Sequence, residues 1–134
     1  MAAQLNHTIV HASDQQRSAT FLADLLGLPE PTKFGPFLVV QTANDVSLDV
    51  LTDPNPIHPQ HYAFLVSEEE FDAIFDRIKA HALDFWADPF HAQPGQINHN
   101  DGGRGVYWSD PDGNNHSSAA WLLSTYLSCP VSRP

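Results

Sequence analysis

Three side chains in this sequence have the chemistry of metal ligands: the imidazoles of His7 and His61 and the carboxylate of Asp49. They lie in three separate segments whose apolar and polar residues alternate as in β-strands. Two imidazoles and a carboxylate suit a divalent first-row metal that keeps coordination positions open for a substrate. We therefore predict a divalent metal, namely Fe, Mn, Ni or Zn, at these three residues.

The faces of the predicted strands decide which of these side chains can meet. Leu48 and Val50 share the apolar face that a helix would cover, so Asp49 should point away from that helix. The same argument, applied to the segment that begins at His61, places His61 on the side opposite its helix. Asp49 and His61 are therefore expected to line a common cavity. Alternation leaves the face of His7 open, because apolar residues lie on both sides of its strand.

A second group of candidates lies near residues 98–107. Donors, acceptors and glycines occur together just before a predicted strand, and we select His99, Arg104 and Tyr107 as candidate substrate contacts. A solvated turn would have the same composition. The sequence contains eight histidines, and four of them lie at an element end, before a proline, on a helix or in a polar loop and are assigned no role: His11, His58, His81 and His91.

The elements that must position these residues occur in the order β-α-β-β, twice. In the first half, a strand at 5–10 precedes a helix that Ser13 or Asp14 can cap and Gly27 ends. Strands at 37–41 and 46–51 follow, with an extra short strand at 32–34 as an option. His7 and His61 open the two halves at the same place, 54 positions apart, as in an internal repeat.

The second half repeats this order with a strand at 61–66 and a helix after it. Ser67 and Glu70 have capping-box spacing, and apolar residues follow at helical spacing from Phe71 to Ile78. A loop at 87–100, a strand at 105–108, a turn at 110–113 and a last strand complete the half. We predict one domain over residues 1–134, with repeats at about 4–54 and 58–122.

Composition limits the partners and the compartment. The 134 residues include 16 acidic and 6 basic ones, for a net charge of -10, which argues against nucleic acid and anionic membranes as partners. No apolar run is long enough for a membrane span, and no secretory leader is recognisable. The single cysteine, Cys129, cannot form an internal disulfide, so we expect a cytoplasmic protein.

Taken together, these residues resemble the vicinal oxygen chelate superfamily, which includes glyoxalases, bleomycin-resistance proteins, fosfomycin-resistance enzymes and extradiol dioxygenases. The resemblance covers about residues 4–115. It rests on Leu5-Asn6-His7, the Leu-Gly-Leu end of the first helix, His61-Tyr62-Ala63-Phe64, and residues 105–113.

The resemblance implies an α+β fold of paired β-α-β-β-β modules, whose curved mixed sheet surrounds a metal and substrate cavity, usually in a homodimer. In this family His7 matches the first-strand ligand and His61 the second-half ligand, and Asp49 falls close to an additional carboxylate of glyoxalases.

One position departs from the family pattern. The family's remaining ligand is normally a Glu four positions after Gly113, and here that position is Ser117. A neutral hydroxyl is a poor replacement for a carboxylate. His116 could substitute only if the strand shifted by one residue or bulged. The tail from 116 is also atypical; natural divergence, a changed reading frame and an end introduced by cloning would each produce it.

Three functions remain open from the sequence. The first is a metal-dependent enzyme, an extradiol dioxygenase or a glyoxalase-like lyase, that acts on a small substrate with vicinal oxygens. The second is a bleomycin-type protein that binds and sequesters a small molecule without chemistry, which the loss of the Glu favours. The third is a degenerate paralogue. The presence of both histidines with Asp49 favours the enzyme.

Overall fold

The computed structural model describes residues 2–120, which form two β-α-β-β-β modules. The first module consists of β1 (His7–Ala12), α1 (Gln15–Leu26), β2 (Thr32–Phe34), β3 (Phe37–Gln41) and β4 (Ser47–Thr52). Its sheet has the order β1-β4-β3-β2, in which β1 and β4 are parallel and the other pairs antiparallel.

The second module has the same plan. It consists of β5 (His61–Val66), α2 (Glu68–Ala80), β6 (Phe85–Trp86), β7 (Arg104–Ser109) and β8 (Asn115–Ala120). Its sheet order is β5-β8-β7-β6, again with one parallel pair, β5 and β8. The predicted α+β class with paired modules and mixed sheets is therefore confirmed, including the optional short strand at 32–34.

The chain divides into two compact units that follow these modules. Among the described residues, the first contains those up to Pro59 together with Asp110–Gly113, and the second contains Gln60–Ser109 and Asn114–Ala120. The predicted single domain and the repeat limits stay predictions, and the end of the second repeat and most of the tail lie outside the described residues.

The helix ends confirm the local signals of the sequence. The Asp14 side chain accepts a hydrogen bond from the Arg17 backbone N–H and caps α1, and Gly27 ends the helix at φ 68°. At α2 the capping box between Ser67 and Glu70 is complete. Local hydrogen bonds from the capping residues therefore specify where both helices begin.

The turn at Asp110–Gly113 belongs to the first unit and fastens α1. Asp112 Oδ2 accepts hydrogen bonds from the Ser13 backbone N–H at 3.1 Å and from Ser18 Oγ at 3.2 Å. Gly113 adopts φ 80°, a conformation that a residue with a Cβ rarely takes. A carboxylate at the start of α1 also complements the helix dipole.

Each helix covers one face of its own sheet and leaves the other face open. In the first module the covered face is aliphatic, with buried side chains such as Val10, Val40, Leu48 and Val50. In the second module Val106, Trp108, His116 and Ser118 occupy the equivalent buried positions. No helix among the described residues is long and apolar enough to cross a membrane.

Candidate functional site

The open face of the first sheet carries His7 and Asp49 together. In the parallel register of β1 and β4, His7 lies beside Ser47, and Ile9 lies beside Asp49. Neighbouring residues of paired strands point to the same side of a sheet. The register thus decides the face of His7, which alternation left open, and confirms that Asp49 points away from the helix.

The environment of His7 favours a ligand role for one of its ring nitrogens. Nδ1 lies 2.7 Å from Asn6 Oδ1, an oxygen that can only accept a hydrogen bond. With that assignment Nδ1 carries the hydrogen in the neutral tautomer that leaves Nε2 available to a metal. Metal-binding histidines are usually held in this way. Asn6 is not among the residues predicted from the sequence, although it stands directly before His7.

Asp49 is half-buried between its strand neighbours. One of its carboxylate oxygens, Oδ1, accepts a hydrogen bond from Ser47 Oγ at 2.8 Å. Since a carboxylate has two oxygens and about four lone-pair positions, this bond orients Asp49 and leaves capacity for a cation.

The open face of the second sheet carries His61, Tyr107 and Ser117. His61 Nε2 lies 3.3 Å from Ser117 Oγ, and the His61 and Tyr107 ring centroids are 5.7 Å apart. Tyr107 and Ser117 are register partners across β7 and β8. The structure thus brings together one predicted metal ligand, one predicted substrate contact and the position where the family's Glu is replaced.

Burial determines the protonation of this group. Loss of hydration lowers the pKa of His61, and the nearby His116 lowers it further. Burial, and then the charge of Asp88, raises the pKa of Tyr107. At neutral pH the His61 imidazole is therefore neutral with a lone pair, and the Tyr107 phenol keeps its proton for hydrogen bonding.

His116 cannot take the place of the absent Glu on this face. The register of β5 and β8 runs without a break from His61 beside Asn115 to Val66 beside Ala120, so β8 contains no shift or bulge. The His116 ring is buried on the covered face, with the Tyr62 ring centroid 5.4 Å away. Ser117 therefore occupies the position on the open face.

Arg104 and His99 lie elsewhere. The Arg104 side chain is on the covered side of β7, where Nε donates to Glu68 Oε2 at 2.8 Å and Nη1 to Asp72 Oδ1 at 2.8 Å. Its guanidinium also lies 4.4 Å from the centre of the Phe71 ring. His99 is an exposed residue at the start of a short 3-10 helix, Asn100–Gly102. Their role as substrate contacts stays a prediction.

A histidine that the sequence analysis left unassigned does reach the open face of the second sheet. His91 stacks on Trp86, whose register partner is Tyr107. No periodic pattern could reveal this contact, because His91 lies in a loop.

The donors fit a divalent metal in type, with one weak position. His7, His61 and Asp49 offer two imidazole nitrogens and a carboxylate, which is the set that such a metal prefers. Ser117 contributes only a neutral oxygen. Among residues 2–120, no group of three or more His, Cys, Asp or Glu side chains is assembled as a metal site. The three-residue assignment therefore stays a prediction.

Comparison with known proteins gives consistent matches over nearly the whole chain. Residues 4–116 match the Glyoxalase/Bleomycin resistance protein/Dioxygenase superfamily. The solved structure of Oxidase ChaP-H1 is 61% identical, with a TM-score of 0.88, and the match covers 90% of this chain and 98% of that one. Oxidase ChaP-H2 is 56% identical, with a TM-score of 0.88 and coverage of 91% and 96%. Glutathione transferase FosA from Serratia marcescens is 29% identical, over 100% of this chain and 92% of its own length.

Proposed function

The chain belongs to the glyoxalase, bleomycin resistance protein and dioxygenase superfamily, and on that premise we propose that it is a metal-dependent oxidase of a small substrate with vicinal oxygens. Members of this superfamily bind small molecules and typically use divalent metals. The proposal chooses oxidation among the reactions of the superfamily.

One observation carries that choice. Two proteins named as oxidases are 61% and 56% identical to this chain and match it over 98% and 96% of their own lengths. The glutathione transferase is 29% identical. The difference supports a reaction shared with the oxidases, and the donors on the open faces support a site for it.

Each module would contribute its own residues to the reaction. The metal supplies Lewis-acid activation when it is bound. We propose His7, Asp49 and His61 as its ligands, with Asn6 holding the His7 ring in the required tautomer. The protonated Tyr107 phenol would donate a hydrogen bond to a substrate oxygen near His61.

Assembly and location follow the same reasoning. We propose a homodimer, supported by large apolar side chains that are strongly exposed, with Leu5 at 70% and Phe34 at 74%. Light scattering on the purified protein measures the mass of the assembly directly. A cytoplasmic location is proposed from the single cysteine.

The first test is the metal content of protein that was purified without a His tag or chelator. Elemental mass spectrometry is applied before and after incubation with Fe(II), Mn(II), Ni(II) or Zn(II). We expect near-stoichiometric uptake of at least one metal, and its loss in His7→Ala and in His61→Ala. The matched control is His81→Ala, since His81 is exposed at the end of α2.

The second test is oxygen consumption by each metal-loaded form with a panel of small catechols and other vicinal-oxygen compounds. In the first test, metal uptake that is unchanged in both His7→Ala and His61→Ala would reject the ligand assignment. Metal binding without oxygen consumption, but with a glutathione adduct in a parallel assay, would move the reaction to that of the transferase relative. Ligand binding without any metal would favour sequestration.

A further inference from the structure

The loop after β6 brings a histidine onto the open face of the second module. The His91 imidazole lies flat on the Trp86 indole, with ring centroids 3.5 Å apart and planes 3° apart. Trp86 shares the open face with its register partner Tyr107. His91 is therefore held against the same face that carries His61.

The loop around His91 is closely specified by the Asp88 carboxylate. Its two oxygens accept hydrogen bonds from the backbone N–H groups of Phe90 at 3.1 Å, Ala92 at 3.0 Å and Gln93 at 2.8 Å. His91 itself has φ 61°. A residue with a Cβ rarely adopts this left-handed conformation. Such conformations persist where the surroundings over-determine them, and they cluster at functional sites.

Hydrogen bonds to Asn115 determine which His91 nitrogen can meet a ligand. Asn115 Nδ2 donates to the Pro89 carbonyl at 3.1 Å, so Oδ1 is the atom that lies 3.4 Å from His91 Nε2. An amide oxygen only accepts, which assigns the hydrogen to Nε2. In the neutral ring, Nδ1 then keeps its lone pair and can accept a hydrogen bond.

This loop borders the group described above. Asn115 is the register partner of His61 across β5 and β8. Tyr107 lies between Trp86 on one side and Ser117 on the other. The titratable groups on this face of the second module are Tyr107 on β7 and His61 on β5, and Asp88 lies in the loop of His91 itself.

We propose that His91 is a substrate-binding residue: its Nδ1 accepts a hydrogen bond from a hydroxyl of a ligand with vicinal oxygens, while Trp86 and Asn115 hold the ring in place. The inference rests on the proposed function for the position of the substrate. If His91 served only to fasten its loop, the flat ring would be needed but Nδ1 would not.

That difference defines the experiment. His91→Phe keeps a flat ring for Trp86 and removes both nitrogens, and His81→Phe is the exposed control. The probe is 4-nitrocatechol, which has two adjacent hydroxyls and absorbs in the visible range. It is titrated into the protein as purified and after metal loading. We expect the dissociation constant to rise about fivefold or more in His91→Phe, with no change in His81→Phe.

The other outcomes are equally decisive. Unchanged affinity in His91→Phe, with the probe bound, would overturn the proposal, and so would failure of the wild-type protein to bind the probe. If His91→Phe lowers the Tm markedly, His91→Gln decides, because Gln retains an acceptor: recovered affinity supports the proposal and an equal loss overturns it. The proposed function fails separately, through absent metal uptake or absent oxygen consumption, neither of which this titration requires.

Discussion

The two modules place different residues at the same position of their open faces. In the first, His7 lies beside Ser47, and Asp49 follows two residues further along β4. In the second, His61 lies beside Asn115, and Ser117 follows two residues further along β8. One module therefore pairs its histidine with a carboxylate and the other with a hydroxyl. The carboxylate is thus present on the open face of the first module and replaced by a hydroxyl on that of the second.

The covered faces of the two modules also differ, because the second buries more polar side chains than the first. β4 buries the aliphatic side chains Leu48 and Val50, whereas β8 buries His116 and Ser118. Within residues 2–120, Ser118 Oγ is buried without a hydrogen-bond partner. A buried polar atom without a partner costs about 1–3 kcal/mol. The second module thus carries this cost in its core, and Ser118 is the neighbour of Ser117 on β8.

The largest effect is expected when the carboxylate is restored. Ser117→Glu gives the second module an anionic oxygen beside His61, as Asp49 does for the first. Even residues that only orient a ligand change metal affinity about 10–100-fold, so we expect a gain of at least about tenfold. Competition with a chelating dye measures it. Ser117→Gln is the neutral control of equal size, and an equal gain in Gln would show that charge is not what the site lacks.

Replacing a buried serine with alanine should change the free energy of unfolding in opposite directions in the two modules. Ser118→Ala removes a buried hydroxyl without a partner among the described residues, so the free energy of unfolding should rise by about 1–2 kcal/mol. Ser18→Ala in α1 removes a buried hydroxyl that donates to Asp112 at 3.2 Å, and it should lower that free energy by about 1–2 kcal/mol. Urea denaturation compares them, and a loss in both would contradict the difference between the cores.

These cases show which parts of the molecule the sequence specifies. Helix caps such as Asp14 and the Ser67–Glu70 pair depend on residues a few positions apart, so pattern alone predicts them. The face of His7 depends on register with β4, some forty residues away, and apolar neighbours on both sides made its pattern ambiguous.

Two further residues show where pattern reading ends. The sequence pattern places Arg104 in the loop before a predicted strand at 105–108, but the strand begins at Arg104, which therefore shares the covered face with Val106 and Trp108. His91 reaches its sheet through a loop conformation with positive φ that Asp88 specifies. A contact made through a loop in this way leaves no periodic pattern in the sequence.

A smaller effect tests how each helix is linked to its module. In the first, Asp112 fastens α1; in the second, Arg104 links β7 to α2 through Glu68 and Asp72. Arg104→Gln should lower the free energy of unfolding by about 1 kcal/mol, less so at high salt. Lys79→Gln is the control, since its ion pair with Asp76 is exposed. Weaker binding of 4-nitrocatechol at unchanged stability would instead favour the substrate role predicted from the sequence.

The smallest effect compares the loop carboxylates Asp53 and Asp88, one in each module. Hydrogen bonds from backbone N–H groups are the largest cause that lowers the pKa of each, from Asn55 for Asp53 and from Ala92 for Asp88. A carboxyl with a lowered folded pKa contributes stability above its unfolded pKa, near 3.8, and that contribution is lost as the pH falls through the folded pKa.

The two carboxylates differ in the number of backbone hydrogen bonds they accept: Asp88 accepts three and Asp53 accepts one. Asp88→Asn should therefore lower the Tm at pH 6 more than Asp53→Asn does, and both differences should shrink as the pH falls below 3.8 and through the folded pKa of each carboxyl. Thermal unfolding followed by circular dichroism across this range measures both. Equal shifts, or shifts independent of pH, would show that the charge on these carboxylates does not hold the loops.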